Sequence, residues 1–187
     1  KATKSYTVKK DEGPRAGTSK EALAKLRAVF AAGGSVTAGN SSQMSDGAAF
    51  VMVMSEDMVK ELNIEPIARM VNYAAAGVEP RIMGIGPVPA IKAALGSVGL
   101  TIADVDRMEI NEAFASQMVA CLKELGLDNE RVNIYGGGIS LGHPIGASGT
   151  RVLVTLMHAL KRTGKKRGVA SLCLGGGNAV AMVIEAC

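Results

Sequence analysis

The alternation of short apolar runs with longer amphipathic stretches, which begins after Pro66, most constrains what this chain can fold into. The short runs read as strands. In the longer stretches apolar residues recur every three or four positions, as they do on one face of a helix. The predicted order of elements is βαβαβαββ. Strands that alternate with helices in this way favour a mixed sheet covered by helices, so the chain is predicted to be α/β.

The pattern also gives bounds for the elements. We expect strands at residues 67–75, 107–110, 132–135, 169–174 and 179–184, and helices at residues 87–98, 112–125 and 146–161. Upstream of Pro66, we expect a helix over residues 20–30, a buried strand over residues 48–54 and a short helix capped by Ser55. Residues 1–20 are polar and rich in lysine, which is typical of a tail or a surface segment.

Composition excludes several classes of function. Hydrophobic residues make up 48% of the chain and aromatic residues 3%, so an aromatic-rich carbohydrate or single-stranded nucleic-acid surface is not expected. The net charge of +4 comes largely from Lys/Arg clusters near residues 1–10 and 161–167, which are typical of solvated segments. No apolar run reaches the roughly 18 residues that a membrane helix needs. The three cysteines show neither a disulfide framework nor metal-type spacing, so no metal site is predicted.

Three polar motifs stand where predicted strands end, which is where α/β proteins bind ligands. They are Asn111-Glu112-Ala113-Phe114, Gly142-His143-Pro144-Ile145-Gly146 and Cys173-Leu174-Gly175-Gly176-Gly177. Taken alone, Asn111 can be a helix cap, His143 a structural histidine and Cys173 an inert buried thiol. Taken together, an amide, an imidazole and a thiol indicate acyl-transfer or enolate chemistry, because they can stabilise an oxyanion and move a proton.

The other candidate residues have simpler interpretations. Cys121 lies in the apolar stripe of its predicted helix and is expected in the core. His158 belongs to a polar row on the helix over residues 146–161 and is expected to face solvent; the row is Arg151, Thr155, His158 and Arg162. Neither a phosphate-binding loop nor a dinucleotide-binding fingerprint occurs, so a nucleotide-binding fold is not predicted.

The three motifs resemble the C-terminal catalytic blocks of the thiolases. Three further stretches resemble thiolase sequence in the same order, at residues 11–15, 37–47 and 82–87, so the resemblance covers nearly the whole chain. It implies an α/β, thiolase-like layered fold, with α-β-α-β-α layers in the whole enzyme. Residues 1–44 would be the end of a loop domain, residues 45–64 the last strand and helix of the N-terminal half, and residues 65–187 one complete βαβαβαββ C-terminal domain.

The resemblance also implies catalytic roles. In thiolases a cysteine of the N-terminal half attacks the 3-keto carbon of 3-ketoacyl-CoA, and a second CoA then accepts the acyl group. No cysteine here stands in that context, so this fragment is expected to lack the nucleophile. His143 would activate that cysteine and help bind the thioester oxygen, with a water held by Asn111. Cys173 would move the α-proton, its pKa lowered by neighbouring N–H groups, and the Gly175 N–H would serve a second oxyanion hole.

Coenzyme A is implied as a substrate, and no permanently bound cofactor is expected. Six positions match CoA-contacting positions, with Arg15 near the nucleotide and Ser42 near the pantetheine: Arg15, Phe30, Ala38, Ser42, Met83 and Phe114. The implied partners are acyl-CoA, the missing N-terminal half and further copies in a homodimer or homotetramer. One departure is Asn178-Ala179, where many thiolases have Met-Gly or Gln-Gly.

Within the superfamily, ketoacyl synthases use a second histidine where Asn111 stands, which argues against them. Residues 40–43 and 110–117 look more like the degradative, β-oxidation type of thiolase than the biosynthetic acetoacetyl-CoA type, which is the alternative. An alternative hypothesis from a different class of function is a non-catalytic CoA-binding or assembly module. The presence of Asn111, His143 and Cys173 argues against it. The compartment would be the cytoplasm in a bacterium, and the mitochondrion or peroxisome in a eukaryote.

Overall fold

A four-stranded mixed sheet forms the centre of the computed structural model, which describes residues 5–187. The strands are β1 (Ala68–Gly77), β2 (Arg107–Ile110), β3 (Arg167–Leu174) and β4 (Asn178–Ala186). Their order across the sheet is β1-β4-β3-β2. β2 runs parallel to β3, whereas β4 is antiparallel to both of its neighbours. The predicted mixed sheet is therefore confirmed.

The described residues form six α-helices. They are α1 (Lys20–Ala24), α2 (Glu56–Glu61), α3 (Pro87–Gly96), α4 (Ala115–Leu125), α5 (Gly138–Leu141) and α6 (Ser148–Thr163). Short 3-10 helices occur at Ala38–Asn40, Pro80–Ile85 and Ile102–Asp104. α4 and α6 each end at a left-handed glycine, Gly126 and Gly164, which releases the chain toward the next strand. None of these helices is long and apolar enough to span a membrane.

The sheet separates two apolar cores. On one face α3 and α4 pack against the sheet, and Met108 and Ile110 of β2 are buried there. On the other face α6 packs against β3 and β4. Because successive strand residues point to opposite faces, Glu109 and Asn111 of the β2 segment face α6. This alternation places two polar side chains beneath the start of α6.

The face that carries α6 is only partly covered. Met70 and Tyr73 of β1 are 55% and 68% exposed, and their register partners Ile184 and Met182 contribute to the core under α6. Val180, nearby on β4, is 44% exposed. An apolar surface therefore extends from the edge of α6 across β1 and β4.

The predicted strand over residues 48–54 is wrong. These residues form no strand, and Phe50, Met52 and Val53 are more than four-fifths exposed. A strand is stable only when a neighbouring strand satisfies its backbone groups and its apolar faces are covered. No segment within residues 5–187 pairs with this run.

The predicted helix over residues 20–30 is correct only for its first half. α1 ends at Ala24, and the chain then turns so that Val29 N donates to Val36 O at 3.0 Å. This pairing closes a turn around Gly33, whose φ of +71° favours glycine. The helical spacing of the apolar residues continues beyond Ala24, but the cross-turn hydrogen bond requires a different backbone conformation there, so the helix ends.

The predicted strand over residues 132–135 is reduced to a single parallel bridge between Val132 and Met108. Asn133 has a φ of +50° and turns the backbone away. Its side chain then takes the place of a strand neighbour, because Oδ1 accepts from Ile110 N at 2.9 Å and Nδ2 donates to Ile110 O at 2.8 Å. The chain after Pro66 thus has four strands instead of the predicted five.

Candidate active site

Asn111 and His143, which come from two of the three polar motifs, meet at one edge of the sheet. The Asn111 Nδ2 and His143 Nε2 atoms are 3.3 Å apart. Asn111 is held there because its backbone N–H extends the β2–β3 pairing by donating to Ser171 O at 2.9 Å. His143, just before α6, is held by its own N–H, which donates to Gln43 O at 2.7 Å. The predicted association of these two motifs is therefore present.

Asn111 does not cap a helix, so the structural alternative for this residue is wrong. α4 begins only at Ala115, and Phe114 occupies the cap position. Near this terminus, the Ala113 N–H is satisfied by Gln117 Oε1 at 3.2 Å. The Asn111 side chain is 1% exposed and faces α6, where its amide contacts His143. A buried amide directed at an imidazole can take part in polar chemistry.

Ser148 sets the tautomer of His143. The Nδ1 atom lies 2.6 Å from Ser148 Oγ, and the Ser148 hydroxyl donates its only hydrogen to Pro144 O at 3.0 Å. Ser148 Oγ therefore accepts from Nδ1–H, which leaves Nε2 unprotonated and able to accept a proton. Burial lowers the pKa of His143, and the positive charge of Arg151 lowers it further. The imidazole is thus a neutral base at neutral pH.

Arg151 and Glu109 lie behind this pair, and the sequence analysis did not identify either as a site residue. Arg151 Nη2 is 3.5 Å from Asn111 Oδ1, and Nη1 is 3.9 Å from Glu109 Oε2. Glu109 is 1% exposed. Burial raises the pKa of Glu109 to about 8, against the opposing effect of Arg151. A usable signal was present, because Glu109 is the one charged residue between two apolar strand positions and Arg151 begins the polar row of its helix.

The raised pKa of Glu109 predicts a pH-dependent stability. The folded chain keeps this proton up to a pH of about 8, whereas the unfolded chain loses it near 4.5. Stability contributed by the neutral carboxyl is therefore fully present below 4.5 and falls as the pH rises to 8. We expect Glu109→Gln to remove a slope of up to about 1.4 kcal/mol per pH unit in that window. Chemical denaturation at several pH values measures the slope.

The exposed Glu124 of α4 supplies the matched control for this prediction. Glu124→Gln should leave the pH dependence of unfolding as it is in the parent chain. Identical pH profiles for Glu109→Gln and the parent would contradict the prediction.

Cys173 stands at the end of β3, at the sheet edge that also carries Asn111. It lies two residues beyond Ser171, whose carbonyl accepts the Asn111 N–H. The Cys173 thiol does not contact His143 or Asn111 through a hydrogen bond in the described part of the chain. Burial raises its pKa, so the expectation of a lowered thiol pKa is wrong. The backbone groups near Cys173 lower its pKa by less than the loss of water around the sulfur raises it.

Gly175 follows Cys173 in the turn that joins β3 to β4. The residue is exposed, and a Cβ built on it would meet no atom within 4 Å. Gly177, in the same turn, has a φ of +93°, and its carbonyl accepts from Val78 N at 2.7 Å. The turn is thus anchored to the end of β1, while its Gly175 side stays open to an incoming group.

The glycine cluster before α5 serves close packing. A Cβ on Gly138 would lie 2.8 Å from Glu112 O and 3.5 Å from Asn111 Oδ1, and one on Gly137 would overlap the Glu112 carboxylate. That carboxylate accepts from Ile139 N at 3.2 Å and from Asn133 Nδ2 at 3.1 Å. The absence of side chains at these glycines therefore allows the Asn111-Glu112 segment to be held from both sides.

Three of the six predicted CoA-contacting residues lie together beside the Asn111 motif. The rings of Phe30 and Phe114 make a T-shaped contact, with centroids 6.0 Å apart. Ser42 N donates to Ala113 O at 2.9 Å. Residues 28–42 are thereby fastened to the segment between β2 and α4.

The other three predicted CoA-contacting residues take no part in these contacts. Met83 belongs to the 3-10 helix Pro80–Ile85, beside an open cavity of about 390 Å³ formed with α4, which is lined by Ile82, Gly84, Ile85, Ser116, Gln117 and Ala120. Ala38 begins a 3-10 helix, and Arg15 is exposed in the segment before α1. Within residues 5–187, no group of three His, Cys, Asp or Glu side chains is arranged to hold a metal ion.

Comparison with known proteins assigns the family. The sequence model described as Thiolase, C-terminal domain matches residues 64–186, and that described as Thiolase, N-terminal domain matches residues 1–57. This chain belongs to the thiolase family. It is 51% identical over 182 residues to the acetyl-CoA acetyltransferase of Escherichia coli (strain K12), covering 97% of this chain and 46% of that protein. The chain thus spans about half the length of the curated thiolases it matches.

Solved thiolase structures confirm the expected layered α/β fold. The Bacillus anthracis acetyl-CoA acetyltransferase matches 95% of this chain and 45% of its own, with a TM-score of 0.92 and 54% identity. Human mitochondrial 3-ketoacyl-CoA thiolase in complex with CoA matches the same shares, with a TM-score of 0.88 and 47% identity. Thiolases similar to this chain therefore occur in bacteria and in mitochondria.

Proposed function

We propose that this chain is the C-terminal part of an acyltransferase that cleaves 3-ketoacyl-CoA with a second CoA, giving acetyl-CoA and a shortened acyl-CoA. The reverse reaction is a Claisen condensation. The observation that carries the proposal is the 3.3 Å contact between Asn111 and His143 at the sheet edge where Cys173 stands, in a chain that belongs to the thiolase family. Coenzyme A is then a substrate, and no permanently bound cofactor is required.

The domain division that goes with this proposal has three parts. Residues 1–44 end a loop domain, residues 45–64 complete an N-terminal half and residues 65–187 form the C-terminal domain. Support comes from the unpaired apolar run over residues 48–54 and from the partly covered sheet face beside α6, both of which expose large apolar side chains. Burying that surface against an N-terminal half is favourable by about 25 cal/mol per Å². Further copies would assemble a homodimer or homotetramer.

His143 is the proposed base for the nucleophilic cysteine of the N-terminal half. Its free Nε2 accepts the thiol proton as the thiolate attacks the 3-keto carbon. The resulting Nε2–H then donates to the oxygen of the bound thioester, and a water held by Asn111 donates to the same oxygen. The lowered pKa of His143 suits this role, because only the neutral ring can accept the first proton.

Cys173 is the proposed acid that protonates the departing acetyl-CoA enolate at its α-carbon. Its raised pKa supports this role, since the group remains a thiol and holds the proton that it must donate. The Cys173 thiolate formed in that step takes a proton back from the incoming CoA thiol, whose sulfur then attacks the acyl-enzyme. The exposed N–H of Gly175 is the proposed donor to the oxyanion at the nucleophile.

CoA is proposed to lie along residues 15–42 and the segment between β2 and α4. Phe30, Ser42 and Phe114 already lie together there. Ala38, Met83 and Arg15 would complete the contacts, with Arg15 at the nucleotide end. The compartment follows the source, namely the cytoplasm in a bacterium and the mitochondrion or peroxisome in a eukaryote.

We propose that the enzyme is a thiolase of the degradative, β-oxidation type, because residues 40–43 and 110–117 resemble that type. The biosynthetic acetoacetyl-CoA type is the second candidate, because the E. coli and B. anthracis relatives are named acetyl-CoA acetyltransferases. The test uses the complete enzyme, in which this chain follows an N-terminal thiolase half, with acetoacetyl-CoA and a long-chain 3-ketoacyl-CoA. Comparable kcat/KM for both substrates supports the degradative type, and activity on acetoacetyl-CoA alone supports the other.

The 187-residue chain by itself is expected to show no thiolysis. Cys121 is buried in the core, Cys173 is the proposed acid and Cys187 ends the described chain away from the motifs, so no activated nucleophile is available. The same thiolysis assay, run on the purified chain, measures this. Turnover by the chain alone would contradict the proposed role of the N-terminal half, and a complete enzyme that binds CoA without turnover would support a non-catalytic module.

A further inference from the structure

Two ionisable side chains with little exposure to water lie behind the Asn111–His143 pair, and the proposed reaction uses neither of them. The Arg151 side chain is 18% exposed and the Glu109 side chain 2%. Moving charged groups out of water is costly unless close partners compensate. The position of this pair behind the His143 imidazole therefore needs an explanation that accounts for the cost of removing it from water.

The pair is poorly arranged for its own stability. The closest approach of Arg151 Nη1 to Glu109 Oε2 is 3.9 Å, which is longer than a hydrogen bond. Within residues 5–187, Glu109 Oε2 and Arg151 Nε have no hydrogen-bond partner at all. A buried ion pair that served only to hold β2 and α6 together would be expected to have closer contacts.

The guanidinium is directed at Asn111 instead. Nη2 lies 3.5 Å from Asn111 Oδ1, and Nη1 donates to Thr155 Oγ1 at 3.4 Å. Thr155 donates its own hydrogen to Arg151 O at 2.9 Å, so Oγ1 is free to accept from Nη1. The arginine fork is thus fixed on one side by its own helix and faces the amide on the other.

This contact determines which way the Asn111 amide points. With Oδ1 toward Arg151, the Nδ2 group faces the unprotonated Nε2 of His143 at 3.3 Å. Rotating the amide by half a turn would place its NH₂ group against the guanidinium, donor against donor. It would also place Oδ1 against the Nε2 lone pair, acceptor against acceptor. Only one orientation satisfies both neighbours.

We propose that Arg151 is a positioning residue, whose guanidinium holds the Asn111 amide with Nδ2 toward His143 Nε2. The importance of this arrangement for turnover rests on the proposed function, whereas the arrangement itself does not. Arg151 of α6 is the charged group that acts on the imidazole, and Glu109 of β2 and Glu112 just after β2 act on Arg151 in turn. Arg151 is the cation among these three, and its charge opposes protonation of His143.

The first test needs no catalysis and uses the 187-residue chain. The chain contains two histidines, so ¹⁵N NMR of the imidazoles gives one signal set for His143 and one for the exposed His158, which serves as the reference. We expect His143 to show the Nδ1–H tautomer, with a pKa lowered by burial and by Arg151. Arg151→Met should raise the His143 pKa, because the opposing positive charge is removed. Arg151→Lys, which keeps the charge, should leave the His143 pKa low.

The second test uses the complete enzyme and separates charge from geometry. Arg151→Lys keeps the charge but loses the planar fork, so we expect kcat to fall by about 10²-fold, as for small misplacements of catalytic groups, with KM nearly unchanged. The matched control is Arg162→Met at the exposed end of α6, which should keep parental kcat.

Two results would overturn the proposal. One is an Nε2–H tautomer of His143 in the parent chain, and the other is parental kcat for a folded Arg151→Lys enzyme. If Arg151→Met does not fold, the tautomer of the parent chain and the kinetics of Arg151→Lys still decide. If the complete enzyme has no thiolase activity, the proposed function fails, while the NMR arm still reports on Arg151.

Discussion

Asn111→Asp in the complete enzyme is expected to lower kcat by about 10²–10³-fold while leaving the melting temperature near that of the parent. The loss corresponds to removal of one contact to a forming oxyanion. A carboxylate at this position repels the developing charge and orients the bridging water wrongly. It would also stabilise the protonated form of His143 at 3.3 Å, and a protonated ring cannot accept the proton of the nucleophile.

The small effect expected on stability follows from the surroundings of Asn111. Its amide caps no helix, because α4 begins at Ala115. A carboxylate can accept from Arg151 in place of Oδ1, which offsets the cost of burying the charge. Asn63→Asp, at an exposed position after α2, supplies the matched control and should change neither kcat nor melting temperature. A stable Asn111→Asp enzyme with nearly full activity would remove Asn111 from the proposed catalytic group.

Cys173→Ser in the complete enzyme is expected to lower the rates of both cleavage and condensation by about 10²–10⁴-fold, the usual range for loss of a general acid–base group. Both directions require a proton to move at the α-carbon. Serine has nearly the same size, but its hydroxyl is a far weaker acid than a thiol. Formation of the acyl-enzyme from a simple acyl-CoA moves no proton at carbon, and its leaving group is a CoA thiolate, a much weaker base than an enolate carbon. This step should therefore depend less on Cys173.

Mass spectrometry of the acyl-enzyme and steady-state kinetics separate these two steps. Cys187→Ser is the matched control, because Cys187 is exposed and lies after the last strand. That variant should behave as the parent in both assays. Equal losses in acyl-enzyme formation and in cleavage for Cys173→Ser would contradict the prediction that proton transfer at the α-carbon depends most on Cys173.

The local pattern of apolar and polar residues was sufficient to predict several elements of this molecule and the burial of residues within them. The alternation of residues in β2 predicted its bounds at 107–110, and the structure has the strand at Arg107–Ile110. Cys121 is buried and His158 exposed, as the stripe and the polar row of their helices indicated. The α/β class was also predicted, as were the positions of Asn111 and Cys173 at the ends of β2 and β3, whereas His143 follows α5 and no strand. These features depend on the periodicity of burial within one element, which neighbouring residues in the sequence record directly.

Contacts between distant segments decided the rest. The apolar run over residues 48–54 has the composition of a strand, yet no described segment lies beside it. Residues 132–135 pair at a single bridge, because the Asn133 side chain occupies the place of a strand neighbour. Strand formation needs a partner as well as a pattern, and the pattern alone does not say where the partner is.

The sequence by itself determined the class of fold, most of its elements and the positions of the Asn111 amide and the Cys173 thiol at strand ends. Only the tertiary structure decided that Asn111 faces His143, that Ser148 leaves Nε2 unprotonated and that burial raises the pKa of Cys173. It also placed Arg151 and Glu109 behind the site. The physical reason is that hydrogen-bond partners and the loss of water depend on residues that are far apart in the chain and meet only after folding.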